Sequence, residues 1–313
     1  MSQNNTSIIY AGLDIAKSSL ALFLQGSFHA LTNDTAGHAA LLELLRLFPG
    51  AGVICEATGG YEKSVVRALQ AAHVPVAVVE ASRVRSFARA QGRRAKSDPI
   101  DASVLAHYGK SIQPPFSASP APAQVCLTEL TGRRQQLVQM TVQERGHAEH
   151  YTDAFSRKQS RQLLALLQKQ IEQCDRAIAD LIQKDPVLAQ KAERLDQIPG
   201  VGPVVASTVL AQMPELGTVS DAAAAALAGV APYDQDSGMH KGVRHIGGGR
   251  KTVRCTLYMA ALSSIKHDRI SKAFYLRLRQ AGKKPKVALT AVMRKLIVLM
   301  NRLLKNPQFS LAH

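Results

Sequence analysis

Ile8-Ile9-Tyr10-Ala11-Gly12-Leu13 is a short apolar run, and Asp14-Ile15-Ala16-Lys17-Ser18 follows it. Two more apolar runs come next, Leu20–Leu24 and Phe28–Leu31. Lys17-Ser18 and Gln25-Gly26 separate the three, which is the punctuation of a three-stranded meander. The period then lengthens. A helical pattern covers Ala39–Phe48, a strand at Val53-Ile54-Cys55 stands behind Pro49-Gly50-Ala51-Gly52, and a helix over Tyr61–Ala72 leads to a strand at Val76–Val79 and a further helical stretch. The order βββαβαβα predicts a mixed sheet with helices on its faces and the fourth strand beside the first.

Pro114-Pro115 and Ser117-Ala118-Ser119-Pro120-Ala121-Pro122 suit neither a helix interior nor a sheet, so residues 114–122 read as a linker closing a first domain of residues 1–113. From Ala123 to Lys184 glycine and proline nearly vanish. Leu163, Leu167, Ile171, Cys174, Ile178 and Leu181 recur every three or four residues. Residues 123–190 are therefore expected to form two long helices paired as a coiled coil. A subunit-joining pair and an antiparallel hairpin within one chain both satisfy that pattern. Residues 191–313 form a third region, helical by pattern apart from the Gly-rich stretch Ser237–Gly249.

The 313 residues are 46% hydrophobic and 20% charged, enough for several cored domains and against a disordered or fibrous chain. The formal charge is +16, and its distribution is uneven. From Ser237 to His313 there are 17 Lys or Arg and one acid, Asp268, whereas the rest of the chain balances at 22 of each. A polyanionic partner is expected, and nucleic acid fits better than a membrane because no aromatic-rich amphipathic stretch accompanies the charge. Val287–Leu304 is broken by Arg294 and Lys295, so no membrane span is expected. Cys55, Cys126, Cys174 and Cys255 are scattered without a C-x-x-C pair, and residues 1–6 lack a signal peptide's pattern. Both features fit a cytoplasmic protein.

Asp14 ends the first strand in Gly12-Leu13-Asp14-Ile15, and Glu56 ends the fourth in Ile54-Cys55-Glu56-Ala57. If those strands are neighbours, the two carboxylates converge at one sheet edge. In Lys96-Ser97-Asp98-Pro99-Ile100-Asp101, Asp98 is a natural N-cap, Pro99 takes the first helical position, and Asp101 lies one turn along. A lone Asp98 would be read as a cap and a lone Glu56 as a solvated rim residue. The joint pattern is more telling, since an acid ending an apolar central strand costs stability unless it has a partner. Four such carboxylates offer the hard oxygen ligands that one or two Mg²⁺ ions require.

The motifs Gly12-Leu13-Asp14-Ile15-Ala16-Lys17, Glu56-Ala57-Thr58-Gly59-Gly60-Tyr61 and Lys96-Ser97-Asp98-Pro99-Ile100-Asp101-Ala102 resemble the DEDD transposases of the insertion-sequence one-ten family, which includes the Piv DNA invertases. The resemblance implies an α/β RNase H-like (RuvC-like) N-terminal domain, a helical coiled-coil connector and a mostly α-helical C-terminal transposase domain. It also implies that Asp14, Glu56, Asp98 and Asp101 hold Mg²⁺, and that Ser237, in Asp236-Ser237-Gly238, is a nucleophile joining covalently to DNA. Some family members are guided by a structured non-coding RNA that pairs with donor and target DNA. Composition and spacing show no such RNA.

Ile198-Pro199-Gly200-Val201-Gly202-Pro203 reads as a helix-hairpin-helix turn, in which Gly200 and Gly202 let backbone N–H groups approach a phosphate. Lys241, Arg244, Arg250, Lys251 and Arg254 surround the serine segment in sequence and are expected to hold phosphates. The run Arg83, Arg85, Arg93, Arg94 and Lys96 reads equally as a solvated helix face or as a backbone-tracking one. Aromatic residues are only 5% with no Trp, so base stacking is not expected to dominate. The expected function is a Mg²⁺-dependent, RNA-guided DNA transposase acting as a dimer, or as a tetramer of two dimers, with the carboxylates and Ser237 meeting at one phosphate. The alternatives are a Piv-like invertase or Holliday-junction resolvase without a guide, and a non-catalytic nucleic-acid scaffold.

Overall fold

A computed structural model of the protein describes residues 8–93, 97–234, 242 and 244–311. The chain divides into two compact units, residues 1–120 and 121–313.

In the first unit β1 (Tyr10–Ile15), β2 (Ser19–Leu24) and β3 (Ser27–Thr32) form the meander. It is followed by α1 (Thr35–Arg46), β4 (Gly52–Glu56), α2 (Glu62–Ala71), β5 (Val76–Val79), α3 (Ala81–Ala90) and α4 (Asp98–Ile112). The sheet order is β3-β2-β1-β4-β5, antiparallel within the meander and parallel from β1 outward. β4 lies beside β1, with Leu13 opposite Cys55. Alternation then sorts the side chains. Ala11, Leu13, Ile15, Val53 and Cys55 pack with Leu41 and Leu45 of α1 and Val65 and Leu69 of α2. Ile54, Ala77 and Val79 pack on the other face with Val84 of α3 and Val104, Leu105 and Tyr108 of α4.

α4 lies against β1 where β1 has no side chain to keep it away. A Cβ on Gly12 would stand 1.9 Å from the carbonyl oxygen of Ala102 and 2.5 Å from the amide nitrogen of Ala106. Phe116, inside the Pro/Ser/Ala stretch, stacks on Tyr10 with ring centroids 6.1 Å apart. The amide of Ser117 donates to the carbonyl of Val76 at 2.8 Å. That part of the stretch is thus fastened to the sheet.

The second unit opens with α5 (Pro122–Ala148) and α6 (Ala154–Lys184). They form an antiparallel hairpin, in which Leu137 meets Leu167 and Ile171 and the Arg134 guanidinium pairs with the Asp175 carboxylate. Its apolar stripe is shorter than the sequence suggests, because Leu163 and Leu166 are exposed. α7 (Pro186–Asp196), α8 (Pro203–Gln212), α9 (Asp221–Leu227), α10 (Lys251–His267), α11 (Arg269–Gln280) and α12 (Pro285–Lys305) follow. A two-stranded ribbon, β6 (Pro232–Tyr233) with β7 (His245–Ile246), precedes α10. Their core includes Leu195, Val209, Val253, Leu257, Ile297 and Met300. Asn301, fully buried, accepts from the amide of Gly217 and donates to the carbonyl of Val219 and the carboxylate of Asp221, so its amide is satisfied. Among the described residues no helix is long and apolar enough to cross a membrane.

Gly12→Ala tests the packing of α4. The added methyl meets backbone atoms that cannot rotate aside, so the first unit should lose about 3 kcal/mol or fail to fold. Equilibrium urea unfolding would show a lowered midpoint, and a wild-type midpoint would contradict the close approach.

Candidate active site

Strand parity decides what Asp14 and Glu56 can reach. They alternate with Leu13 and Cys55, whose side chains enter the α1/α2 core, so they project to the face that α4 covers. Both are half-buried. Asp98 and Asp101 occupy the first turn of α4, where Asp98 is exposed and Asp101 half-buried. The structure thus places Asp14, Glu56, Asp98 and Asp101 on one side of one sheet. The start of α4 differs from expectation by one residue. Ser97 takes the N-cap, with its carbonyl accepting from the amide of Asp101 at 2.8 Å, and Asp98 is the first helical residue. Acids in a first helical turn face a favourable backbone dipole.

Hard carboxylate oxygens suit Mg²⁺ chemically. Among the described residues, however, no group of three or more His, Cys, Asp or Glu side chains stands ready to hold a metal ion. Cys55 is not a competing nucleophile, because burial, with the nearby Glu62 and Glu56 charges, pushes its thiol up to about 12.

Sequence reasoning missed the residues that fix the loops beyond these strand ends. The side-chain amide of Asn33, just after β3, donates to the carbonyl of Ala16 at 2.8 Å and to that of Tyr61 at 3.3 Å. Ala16 lies two residues beyond Asp14, and Tyr61 five beyond Glu56. The Asn33 carbonyl oxygen stands 2.9 Å from Nε2 of His38. Because the amide nitrogen faces two carbonyls, that oxygen accepts and His38 Nε2 carries the proton. His38 is 8% exposed, and its burial holds the imidazole below the ordinary range despite the opposing pull of Asp34. Glu62 closes the second loop, accepting from the amide and hydroxyl of Thr58 at 3.1 and 3.0 Å and from the amide of Gly60 at 2.8 Å. Burial opposes ionisation of Glu62, but these donors outweigh it and keep the carboxyl below its usual range. Only the Gly59-Gly60 turn hints at this loop in the sequence. Nothing marks Asn33.

Several of the expected phosphate-holding cations are engaged within the chain. Arg93 lies over α4, its guanidinium 3.4 Å from Ser103 Oγ and 3.4 Å from His107 Nδ1. Arg250 pairs with Glu215, Arg244 with Asp234, and Arg254 donates to the carbonyl of Gly248 at 2.7 Å. Arg83, Arg85 and Lys251 are exposed. Gly200 has φ +91°, and a Cβ there would stand 2.8 Å from the carbonyl oxygen of Ala260. Its requirement for glycine therefore comes from α10, while the space beside Gly202 is open. In sequence, β6 precedes and β7 follows the segment that contains Ser237 and Lys241. Ser237, Lys241, Arg94 and Lys96 lie outside the described residues.

Because folding lowers the pKa of His38, the unfolded chain binds its proton more readily. Stability from this group is complete above its unfolded value of 6.5 and is lost as pH falls below it toward the folded value. Urea midpoints at pH 7.5 and 5.5 should differ less for His38→Gln, which keeps a donor for Asn33, than for the wild type. Equal differences would mean that His38 titrates as it does in the unfolded chain.

A transposase family model matches residues 11–153, and a second, described as the transposase IS116/IS110/IS902 family, matches residues 192–276. The "Pilin gene-inverting protein" of Moraxella lacunata is 28% identical over 309 residues, covering 93% of this chain and 94% of that protein, and the protein of the same name in Moraxella bovis matches equally. An "Insertion element IS116 uncharacterized 44.8 kDa protein" of Streptomyces clavuligerus is 30% identical over 147 residues, 46% of this chain and 36% of that one. The chain is thus similar to transposase models over two successive regions and, over nearly its full length, to an inverting protein.

Proposed function

We propose that the protein is an insertion-sequence transposase that cleaves and rejoins DNA with divalent metal, through a serine–DNA intermediate and under the guidance of a structured RNA. The observation that carries the reading is the placement of Asp14, Glu56 and the α4 first turn on one side of the sheet, in a chain matched by two transposase models. On this reading the first unit is RNase H-like. Asp14, Glu56, Asp98 and Asp101 would hold one or two Mg²⁺ ions, which supply neutralisation of the charge that develops on a reacting phosphate.

Ser237 is the nucleophile in this proposal. Its oxygen forms a bond to phosphorus as the bond from phosphorus to the bridging deoxyribose oxygen breaks, the serine proton leaves, and the departing oxygen is protonated. Attack by a DNA hydroxyl on the serine phosphodiester reverses the exchange and reseals a strand without net loss of phosphodiester bonds. Asn33 and Glu62 hold the segments after β1 and β4, so the two strand-end carboxylates need not be ordered when DNA arrives. Guidance by RNA is supported by the family resemblance and by a sequence without a recognition-helix motif. The near-full-length likeness to the inverting proteins favours one second reading, an invertase that works without RNA.

A suicide substrate that traps the cut strand should yield a protein–DNA adduct mapped to Ser237 and dependent on divalent metal. Asp14→Asn, Glu56→Gln and Asp101→Asn should each lower adduct formation at least 100-fold while DNA binding persists. Cutting that leaves free ends without an adduct would replace this chemistry with hydrolysis. RNA that copurifies with the protein and is needed for strand exchange separates the guided transposase from the unguided invertase.

A further inference from the structure

The tail's positive charge is not spent evenly, and the spending can be followed residue by residue. Asp268, the only acid after Ser237, accepts from the amides of Ile270 and Ser271 as the N-cap of α11. Arg250, Arg244 and Arg302 pair with Glu215, Asp234 and Asp221, which come from the acid-balanced part of the chain. Lys295 and Arg277 stand over the Phe274 ring, at 4.1 and 5.3 Å from its centroid. These contacts fasten α11 to α12 through the inward positions Phe274, Tyr275 and Leu278. A neighbouring, outward side of α11 carries Arg269, Lys272 and Arg279, and Lys283 follows in the turn after the helix, all exposed. None of the four pairs with a carboxylate among the described residues.

At 100° per residue, positions 269, 272 and 279 fall within an arc of about 80°. Their rise of 1.5 Å per residue spreads them over about 15 Å, the length of roughly four phosphates on one strand of a double helix. The guanidinium of Arg279 bonds to the carbonyl of Lys283, which ties the turn to the helix end. The only ring beside these cations among the described residues is Tyr275, between Lys272 and Arg279 and partly buried against the core. A single strand, which is gripped largely by stacking, has little ring surface to stack on here.

We infer that the outer side of α11, through Arg269, Lys272, Arg279 and Lys283, is a docking face for the phosphate backbone of duplex DNA, independent of base sequence. This rests on the recombinase reading, since it names where a DNA substrate is carried, and it adds to the expected phosphate-holding residues a set of cations that pair with no carboxylate among the described residues, unlike Arg244 and Arg250. The face supplies position rather than chemistry.

The test is equilibrium binding of the full chain to a 30-bp duplex of arbitrary sequence across a salt series. The variant Arg269→Gln/Lys272→Gln/Arg279→Gln/Lys283→Gln is compared with a control that removes the same charge from α6, Lys158→Gln/Arg161→Gln/Lys169→Gln/Arg176→Gln. The α11 variant should bind at least 100-fold more weakly at 100 mM salt, with a log–log slope reduced by about three and a half units, near 0.9 for each of the four lost contacts. The control should change binding less than tenfold. Circular dichroism and the melting temperature should match the wild type for both, and an α11 variant that melts early is replaced by Lys272→Gln/Lys283→Gln, with half the slope change expected. An unchanged slope, an equal loss in the control, or a loss confined to single strands or duplex RNA would overturn the inference. If the wild type neither cuts nor rejoins DNA, the recombinase reading fails instead, and the binding comparison is read on its own.

Discussion

The backbone of α4 rests directly on β1 at Gly12, and the arrangement of the candidate site depends on that contact. β1 is a central strand, hydrogen-bonded on both edges, so its position is set by β2 and β4. A helix that touches it without an intervening side chain inherits that position directly. Asp14 is two residues from Gly12, and Asp101 adjoins Ala102, whose carbonyl closes over it. One steric requirement therefore relates a carboxylate on the strand to a carboxylate on the helix.

The second relation is made by polar groups rather than packing. β4 is registered to β1 by the parallel ladder, but the loops leaving the two strands have no ladder to hold them. Asn33 bridges them with one amide, and buried His38 orients that amide. Such an arrangement stays fixed because each member would be left unsatisfied if it moved. Glu62 does the same within the second loop, at the cost of holding a partly buried charge.

Much of this was legible in the sequence because it follows from parity and punctuation. The apolar runs at Ile8–Leu13 and Val53–Cys55 are short and bounded, and acids two residues after Gly12 and after Ile54 must share a face once the strands are neighbours. The start of α4 was placed one residue late, at Asp98, because Asp is as good a cap as Ser, and the backbone sets the cap at Ser97. Asn33 was illegible for a different reason. Its amide acts on carbonyls 17 and 28 residues away, and carbonyls leave no trace in residue identity. The apolar stripe of the α5–α6 seam was overestimated because periodicity does not show which positions face the partner: toward the loop end of the hairpin the buried residues are the polar Thr141 and Ser160, while Leu163 is exposed beside α5.

Charge obeys the same limit. A count of Lys and Arg says that the tail needs a polyanion, yet each cation's availability depends on acids that are distant in sequence, such as Glu215 for Arg250, 35 residues away, and Asp221 for Arg302, 81 away. An internally paired cation offers little to an incoming phosphate, because the new contact must displace the old one. Those near the ribbon and α9, Arg244 with Asp234 and Arg302 with Asp221, are engaged with acids of the same unit. Among the described residues Arg269, Lys272 and Arg279 of α11 pair with no carboxylate, and a long-range field around the unit is set by charges of that kind.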